Sequence, residues 1–418
     1  MIARATTLNS IGRPSRLEFF LSNSRISLKF DKLYSNQNLG RVLQGRLNSR
    51  AAFLPSKQCT DSFDPSYKKQ VSRSANVKDD RDNRDLPFTV TPRERSRKCN
   101  PPETSMKRSA LSHYLKLTKP NLTVLVTLSS ICSYAMSPNT VSVSELVLLT
   151  VGVALCSGSA NAINMGREPD FDRKMIRTSS RPIVKGVLTS NQAFKFAAIT
   201  GIAGSFILYH GVNPTVAALG MSNIILYGWC YTSLKRKSIL NTWVGAIVGA
   251  IPPLMGWAAS SSLSHPGAWC LAALLYAWQF PHFNALSHNI ATQYKEAGYV
   301  MAAAENPRLN SRVSLRYSLL MFPICFGLSY FGVTDWVFCI DSSIANAWLS
   351  VLAYRFWKQQ KINHSTTSQI PGQAIEAANL AARKLFWCSV WQLPAVLILA
   401  MLHKKGQWDR LLSWIGIL

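Results

Sequence analysis

Residues 144–182 read SELVLLTVGVALCSGSANAINMGREPDFDRKMIRTSSRP. An apolar run, 144–165, ends in three acids, Glu168, Asp170 and Asp172, and then in three bases, Arg177, Arg181 and Lys185. A hydrocarbon core takes about 20 helical residues, so the run has the length of a membrane span. Acids beside a bilayer are costly and mark function by default. Asn164, Glu168 and Asp172 are four apart, and each such step on a helix turns only ~40°, so they share one face. Three oxygen donors on one face suit a hard cation such as Mg²⁺, which takes one or two carboxylates plus substrate phosphates. Pro169 predicts a kink at this helix end, and Asp170 is a substitute ligand. Arg177, Arg181 and Lys185 repeat the four-residue spacing, and a second basic cluster stands at Lys235-Arg236-Lys237. Carboxylates, a bound cation and converging bases describe a pyrophosphate site. Arg173, Lys174 and Lys237 read instead as ordinary charges of the membrane surface. The small residues Cys156-Ser157-Gly158-Ser159-Ala160 permit close helix approach and carry no chemistry.

Spanning-length apolar segments recur outward from this stretch. Nine are predicted, at 120–137, 144–165, 192–210, 215–233, 240–259, 267–289, 315–331, 336–354 and 385–402. Charge tests the count. The loops 166–190, 235–238, 291–316 and 355–384 hold 18 Lys and Arg, and the alternate loops 138–144, 211–214, 260–266 and 332–335 hold none. Basic residues mark the side that is not translocated, so the acidic cluster and both basic clusters share one membrane face, the matrix face if the membrane is mitochondrial. The tail 404–418, with Lys404, Lys405 and Arg410, falls on the other face as the one exception. Loop 355–384 reads as a flexible linker.

The chain has 418 residues and a net charge of +26, yet only 16% of it is charged, against ~25% in soluble domains. Residues 1–110 carry 22 Lys and Arg against 10 acids. Residues 1–50, basic and acid-poor with Arg4, Arg13 and Arg16 before Phe19-Phe20-Leu21, have the composition of a mitochondrial transit peptide. Residues 51–110 are polar and mixed in charge, as a disordered leader would be. The basic balance thus belongs to a targeting segment and membrane loops, and no nucleic-acid motif accompanies it. The nine Cys show no CxxC pair, and six lie in apolar stretches as small hydrophobes.

The run Asn161 to Pro182 resembles the first acidic motif of the UbiA prenyltransferase superfamily. Its central Glu168, followed by Met175-Ile-Arg177-Thr178-Ser-Ser-Arg181-Pro182, is similar to the branch that farnesylates haem. Further matches are Leu117-Thr118-Lys119-Pro120, Tyr231-Thr-Ser-Leu-Lys235-Arg236, Asn241-Thr-Trp-Val-Gly245, Gly249-Ala-Ile-Pro252-Pro253-Leu-Met-Gly256-Trp257 and Trp278-Gln279-Phe280-Pro281-His282-Phe283. The resemblance covers 111–402 and implies an all-α polytopic membrane domain over 111–403, a bundle of about nine helices around a central cavity open to lipid. It implies farnesyl transfer from farnesyl diphosphate to a vinyl group of haem B, on the route to haem A for cytochrome c oxidase. Asn164, Glu168 and Asp172 would hold Mg²⁺ and carry catalysis, with Lys119, Arg177, Arg181, Lys185, Lys235 and Arg236 on the pyrophosphate. Haem would lie against His282, with Trp278 and His288. A neutral imidazole can ligate or orient haem iron, although His282 alone reads equally as a histidine bonded across helices. Haem B, farnesyl diphosphate and the inner-membrane bilayer are the implied partners, beside haem A synthase, oxidase assembly factors and a second copy of the chain.

Two positions depart from the pattern. The acids of a second acidic motif, just before Tyr294, are replaced by Ala291-Thr292-Gln293, leaving Glu296 as the nearby carboxylate, and Asn121 stands where a base is common. The residues leave two other readings open. One is a sister prenyltransferase acting on a quinone precursor. The other is a haem carrier or transporter that uses its intramembrane acids as an ion path.

Overall fold

The computed structural model describes residues 111–139, 141–365 and 371–408. The expected transit peptide, 1–50, and leader, 51–110, lie outside them, as does the tail beyond 408. Among the described residues the fold is all-α, with no strand beyond one isolated bridge between Thr334 and Lys404.

Helix starts follow a repeated grammar. α1 (Pro120–Met136) and α2 (Val143–Arg167) precede the short α3 (Pro169–Arg173) and α4 (Ser190–Gly211). α5 (Pro214–Ile225) continues as a π-helical segment (Leu226–Tyr231) and a last turn (Thr232–Leu234). α6 (Asn241–Ser260) and α7 (Pro266–Asn289) follow, then α8 (Ala291–Ala297) and α9 (Ala302–Glu305). α10 (Pro307–Tyr330), α11 (Val337–Asn363) and α12 (Gly372–Leu402) complete the chain. Five of the helices open on proline, whose missing N–H would have no intrahelical partner there anyway. Asn213 and Asn306 cap α5 and α10 by accepting from Val216 and Leu309 N–H, each at 2.9 Å. Thr189 and Gln192 form a reciprocal capping box on α4.

Two apolar cores meet at α6. Ile251 and Met255 face Tyr134 of α1, Val153 and Cys156 of α2, and Leu208 of α4. Leu254 and Trp257 face Leu271 of α7, Met321 of α10, Phe338 of α11 and Val396 of α12. The small-residue run of α2 lets α4 approach as expected. A Cβ on Gly204 would stand 2.9 Å from Cys156 Sγ. Approach is closer still between α6 and α1, where a Cβ on Gly256 would meet Ser130 O at 2.0 Å.

Among the described residues, six helices are long and apolar enough to cross a membrane: α2, α4, α6, α10, α11 and α12. Their outer faces expose large apolar side chains, such as Ile199 at 69% and Ile202 at 72% on α4, surface that belongs in lipid rather than water. The helices outrun several expected spans. α10 begins at Pro307 rather than 315, and α11 reaches Asn363 rather than 354. α12 begins at Gly372, so the segment 355–384 is helical at both ends rather than a linker. Hydropathy finds only the lipid-facing part of a helix, whereas these ends are polar turns that continue it. The basic exception near the C-terminus also has a local cause. Lys404 Nζ donates to Ala135 O and Ser137 O, both at 2.7 Å, at the end of α1, where helix carbonyls lack intrahelical donors.

Candidate active site

The site forms where α2 ends. α2 stops at Arg167, Glu168 sits at φ −122° and ψ 29°, and Pro169 starts α3. The expected single helical face is therefore carried across a break. It survives because Asp172 N–H still donates to Glu168 O at 2.9 Å. Asn164, Glu168 and Asp172 are all buried, at 1%, 0% and 3% exposure. Asp170 is exposed and pairs at 3.8 Å with exposed Arg173, so its carboxylate faces away from the other two.

Buried carboxylates require partners, and basic residues from distant segments supply them. Asn164 Nδ2 donates to Glu168 Oε2 at 2.7 Å, and Lys235 Nζ donates to the same oxygen at 3.0 Å. Arg181 pairs with Asp172 Oδ2. Lys119 Nζ donates to Asn164 Oδ1 at 2.6 Å and to the Tyr227 hydroxyl at 3.1 Å. Burial, then the neighbouring Arg181 and Lys235, hold the Lys119 amine well below the ordinary lysine range. Its backbone is left-handed at φ 50°, and it is the one non-glycine with positive φ among the described residues. Side chains adopt that conformation at a cost, and such strain clusters at functional sites.

The π-helical segment of α5 supports this network. Tyr227 and Thr232 are one π-turn apart, and both reach it, Thr232 Oγ1 accepting from Asn164 Nδ2 at 3.0 Å. Arg167 donates to Gly228 O and Trp229 O of this segment at 2.7 and 3.3 Å and to Ser233 Oγ at 2.9 Å. π-Turns inside helices recur at functional sites. The segment after α8 closes over the site. Val300 N–H donates to Lys235 O at 2.9 Å, and Lys235 Nζ lies 5.1 and 5.2 Å from the ring centroids of Tyr231 and Tyr299. Arg236 lies 5.0 Å from the Phe171 ring centroid.

One atom is left over. Glu168 Oε1 is buried without a hydrogen-bond partner, although a buried carboxylate oxygen ordinarily has one. Asn164 and Asp172, joined to Glu168 through the same network, add an amide oxygen and a second carboxylate, hard-oxygen donors of the kind Mg²⁺ takes. In the region of the missing second motif, Glu296 is exposed. Gln293, directly before Tyr294, has a buried Oε1 that is likewise unpartnered.

The structure thus brings together Lys119, Asn164, Glu168, Asp172, Arg181 and Lys235. Arg177 and Lys185 are exposed, and among the described residues neither forms an ion pair with the two acids. Their four-residue spacing held no information about direction, because 174–189 is a string of turns rather than a helix. Tyr227, Thr232, Tyr299 and Arg167 escaped the sequence reading. Tyr227, Tyr231 and Lys235 do repeat every four residues, and that was the one signal available.

The expected haem residues lie elsewhere along α7. His282 stacks on Trp278 with centroids 4.5 Å apart and approaches Phe386 of α12 at 4.8 Å. Its Nδ1 is 2.9 Å from Ser389 Oγ, which leaves Nε2 as the ring atom open to a ligand. Trp278 Nε1 donates to Ser389 O at 2.8 Å. His288 packs against Phe356 and lies 3.3 Å from the Gln360 side chain, an arrangement that joins α7 to α11.

The UbiA prenyltransferase family matches residues 124–368. A mitochondrial protoheme IX farnesyltransferase of Debaryomyces hansenii is 68% identical over 340 residues, which cover 79% of this chain and 73% of that protein. Its namesake in Saccharomyces cerevisiae is 63% identical over 309 residues, covering 73% of this chain and 67% of the relative. Among solved structures, a digeranylgeranylglyceryl phosphate synthase shares the fold at a TM-score of 0.56 and 16% identity, over 70% of this chain and 98% of that one. The chain belongs to the UbiA prenyltransferase family, in the branch of the mitochondrial protoheme IX farnesyltransferases.

Proposed function

We propose that this chain transfers a farnesyl group from farnesyl diphosphate to a vinyl group of haem B, giving haem O, in the mitochondrial inner membrane. The observation that carries the chemistry is the unpartnered, buried Glu168 Oε1 in a network with three half-buried bases, Lys119, Arg181 and Lys235. Such a site has one carboxylate oxygen to offer a cation and three positive side chains to offer an anion. The relatives' shared name supports the choice of haem as acceptor.

Asn164, Glu168 and Asp172 would hold Mg²⁺, which when bound supplies charge neutralisation for the departing pyrophosphate. Lys119, Arg181 and Lys235 bind the same phosphates as fixed cations, which need not reorganise as negative charge develops on the leaving group. The allylic C–O bond breaks and its electron pair leaves with the pyrophosphate. The vinyl π-electrons then form the C–C bond to the farnesyl carbon. Water adds to the resulting cation beside the porphyrin and releases one proton, leaving a hydroxyalkyl-farnesyl arm. Tyr231 and Tyr299 wall the phosphate end and restrict water there. No side-chain nucleophile takes part. His282 Nε2 is the group that would orient haem. Nine crossings, with the active site on the matrix face, complete the reading, and the charge asymmetry of the loops supports it.

The test is mass spectrometry of haems extracted after purified protein is incubated with haem B, farnesyl diphosphate and Mg²⁺. A hydroxyethylfarnesyl haem that vanishes with chelator and in Asp172→Asn is the expected result. Unmodified haem, from a folded preparation that prenylates a quinone precursor, would move the chain to the sister activity. Haem transport that survives in Asp172→Asn without any turnover would make it a carrier.

A further inference from the structure

Three cations outside the active site have no anionic partner among the described residues. Arg308 and Arg312 lie one turn apart on α10, and Lys361 lies one turn beyond Trp357 on α11. They line a single cavity of about 370 Å³ between the two helices, together with Ser311, Trp357 and Ser365. Among the described residues none of the three forms an ion pair, whereas Arg181 and Lys235 of the active site both do. Lys361 Nζ lies 5.4 Å from the Trp357 ring centroid, so its charge is held over an aromatic face rather than spread into solvent.

Basic residues are ordinary on this membrane face, but scattered surface charges repel one another and need not converge on one cavity. What lies beneath the cations decides the ligand. Helical spacing places Leu315 and Leu319 on the stripe of α10 that holds Arg308 and Arg312, and Tyr354 on the stripe of α11 that holds Trp357 and Lys361. Leu319 is 51% exposed and Tyr354 47% exposed. The groove is therefore cationic at its mouth and apolar toward the bilayer centre. A soluble anion uses only the mouth, whereas an amphiphile uses both parts. We propose that this notch binds an acidic phospholipid, its phosphate on Arg308, Arg312 and Lys361 and its acyl chains along Leu319 and Tyr354. Arginine is suited to phosphate because its planar fork makes two parallel bonds.

The full chain in mixed micelles tests this. Melting temperature is followed against added cardiolipin, phosphatidylglycerol, phosphatidylcholine or inorganic diphosphate, for wild type and for Arg308→Gln/Arg312→Gln/Lys361→Gln. The two acidic lipids are expected to stabilise wild type saturably and phosphatidylcholine is not. Each cation near a phosphate contributes about fivefold, so the triple variant should bind acidic lipid roughly a hundredfold more weakly. Single Arg312→Gln, at an exposed position that leaves the fold intact, should lose about fivefold. Farnesyl transfer by both variants in phosphatidylcholine micelles should match wild type, since none of the three residues touches the active site. An acidic-lipid response unchanged in the triple and single variants would overturn the proposal. So would a response to diphosphate, in the presence of chelator, that is as large as the lipid's and is lost in the triple variant.

Discussion

Lys235 Nζ lies 3.0 Å from Glu168 Oε2, a half-buried and a fully buried charge brought together from positions 67 residues apart. The pair ties the end of α5 to the junction after α2 and leaves the other carboxylate oxygen for a cation. Removing one member of such a pair strands the other charge, which costs about 3–5 kcal/mol.

Glu168→Gln should therefore lose both stability and turnover, the latter by roughly 10²–10³-fold as for a lost electrostatic stabiliser. Lys235→Met alone should destabilise comparably. The double variant should recover much of the melting temperature, because neither charge is then stranded, and should stay inactive. Thermal melting of the four proteins forms a double-mutant cycle. A double variant whose loss equals the sum of the single losses would show that the two residues are not coupled.

Lys119 makes a second prediction, through its backbone. Its left-handed conformation costs roughly 1–2 kcal/mol for a side-chain-bearing residue, and glycine removes that cost while losing the amine. Lys119→Gly should melt within about 1 kcal/mol of wild type, the relieved strain being offset by glycine's greater unfolded-state freedom. Lys119→Ala should melt lower, since it keeps the strain and loses the bonds to Asn164 and Tyr227. Both should raise KM for farnesyl diphosphate. Burial and the Arg181 and Lys235 charges lower the point at which this amine loses its proton. Wild-type KM should thus rise with pH below the usual lysine range near ~10.4, and the limb should be absent in Lys119→Gly. A KM profile identical in wild type and variant would remove Lys119 from the phosphate site.

The acids were legible in the sequence because their cost near lipid made them conspicuous and their spacing placed them together. Lys119, Arg181 and Lys235 could be named from motif and charge. Arg177 and Lys185 could be named equally well, yet both are exposed and among the described residues neither pairs with Glu168 or Asp172, since a turn-rich segment does not keep a helix's period. Tyr299 and Gln293 were out of reach. Their position depends on how the short α8 folds back over α3, where Met175, Tyr294 and Tyr299 share a small core, and no local pattern encodes that contact. Arg167 enters the sequence reading only through the charge count of its loop, because nothing in the sequence announces a π-helical segment whose carbonyls it would meet.

His282 separates haem binding from phosphate binding. With Nδ1 engaged by Ser389 and the ring stacked on Trp278, Nε2 is presented in one direction. His282→Ala should weaken haem B binding by roughly tenfold and shift the Soret band of the bound haem. KM for farnesyl diphosphate should be unchanged, because the partners of His282, namely Ser389, Trp278 and Phe386, all lie outside the phosphate site. Absorption titration with haem B gives both readings. A Soret maximum and affinity equal to wild type would assign His282 to packing between α7 and α12.

His403 sets a pH dependence on the opposite face. Its Nδ1 lies 3.1 Å from Asp335 Oδ2 and its Nε2 3.0 Å from Asp341 Oδ2. Both ring nitrogens donate only in the protonated form. Burial opposes that form, but the bonds to Asp335 and Asp341 outweigh it and raise the pKa above its ordinary value. A histidine whose pKa is raised on folding contributes its full stabilisation below the unfolded value near ~6.5 and loses it as pH rises through the folded value. The carboxylates are 40% and 38% exposed, so solvent screening limits the contribution to roughly 1 kcal/mol. His403→Gln should accordingly melt below wild type at acidic pH, with the gap closing as pH rises above the folded value. Melting curves from pH 5.5 to 9 measure it, and a gap that is constant across that range would mean that the clamp contributes only packing.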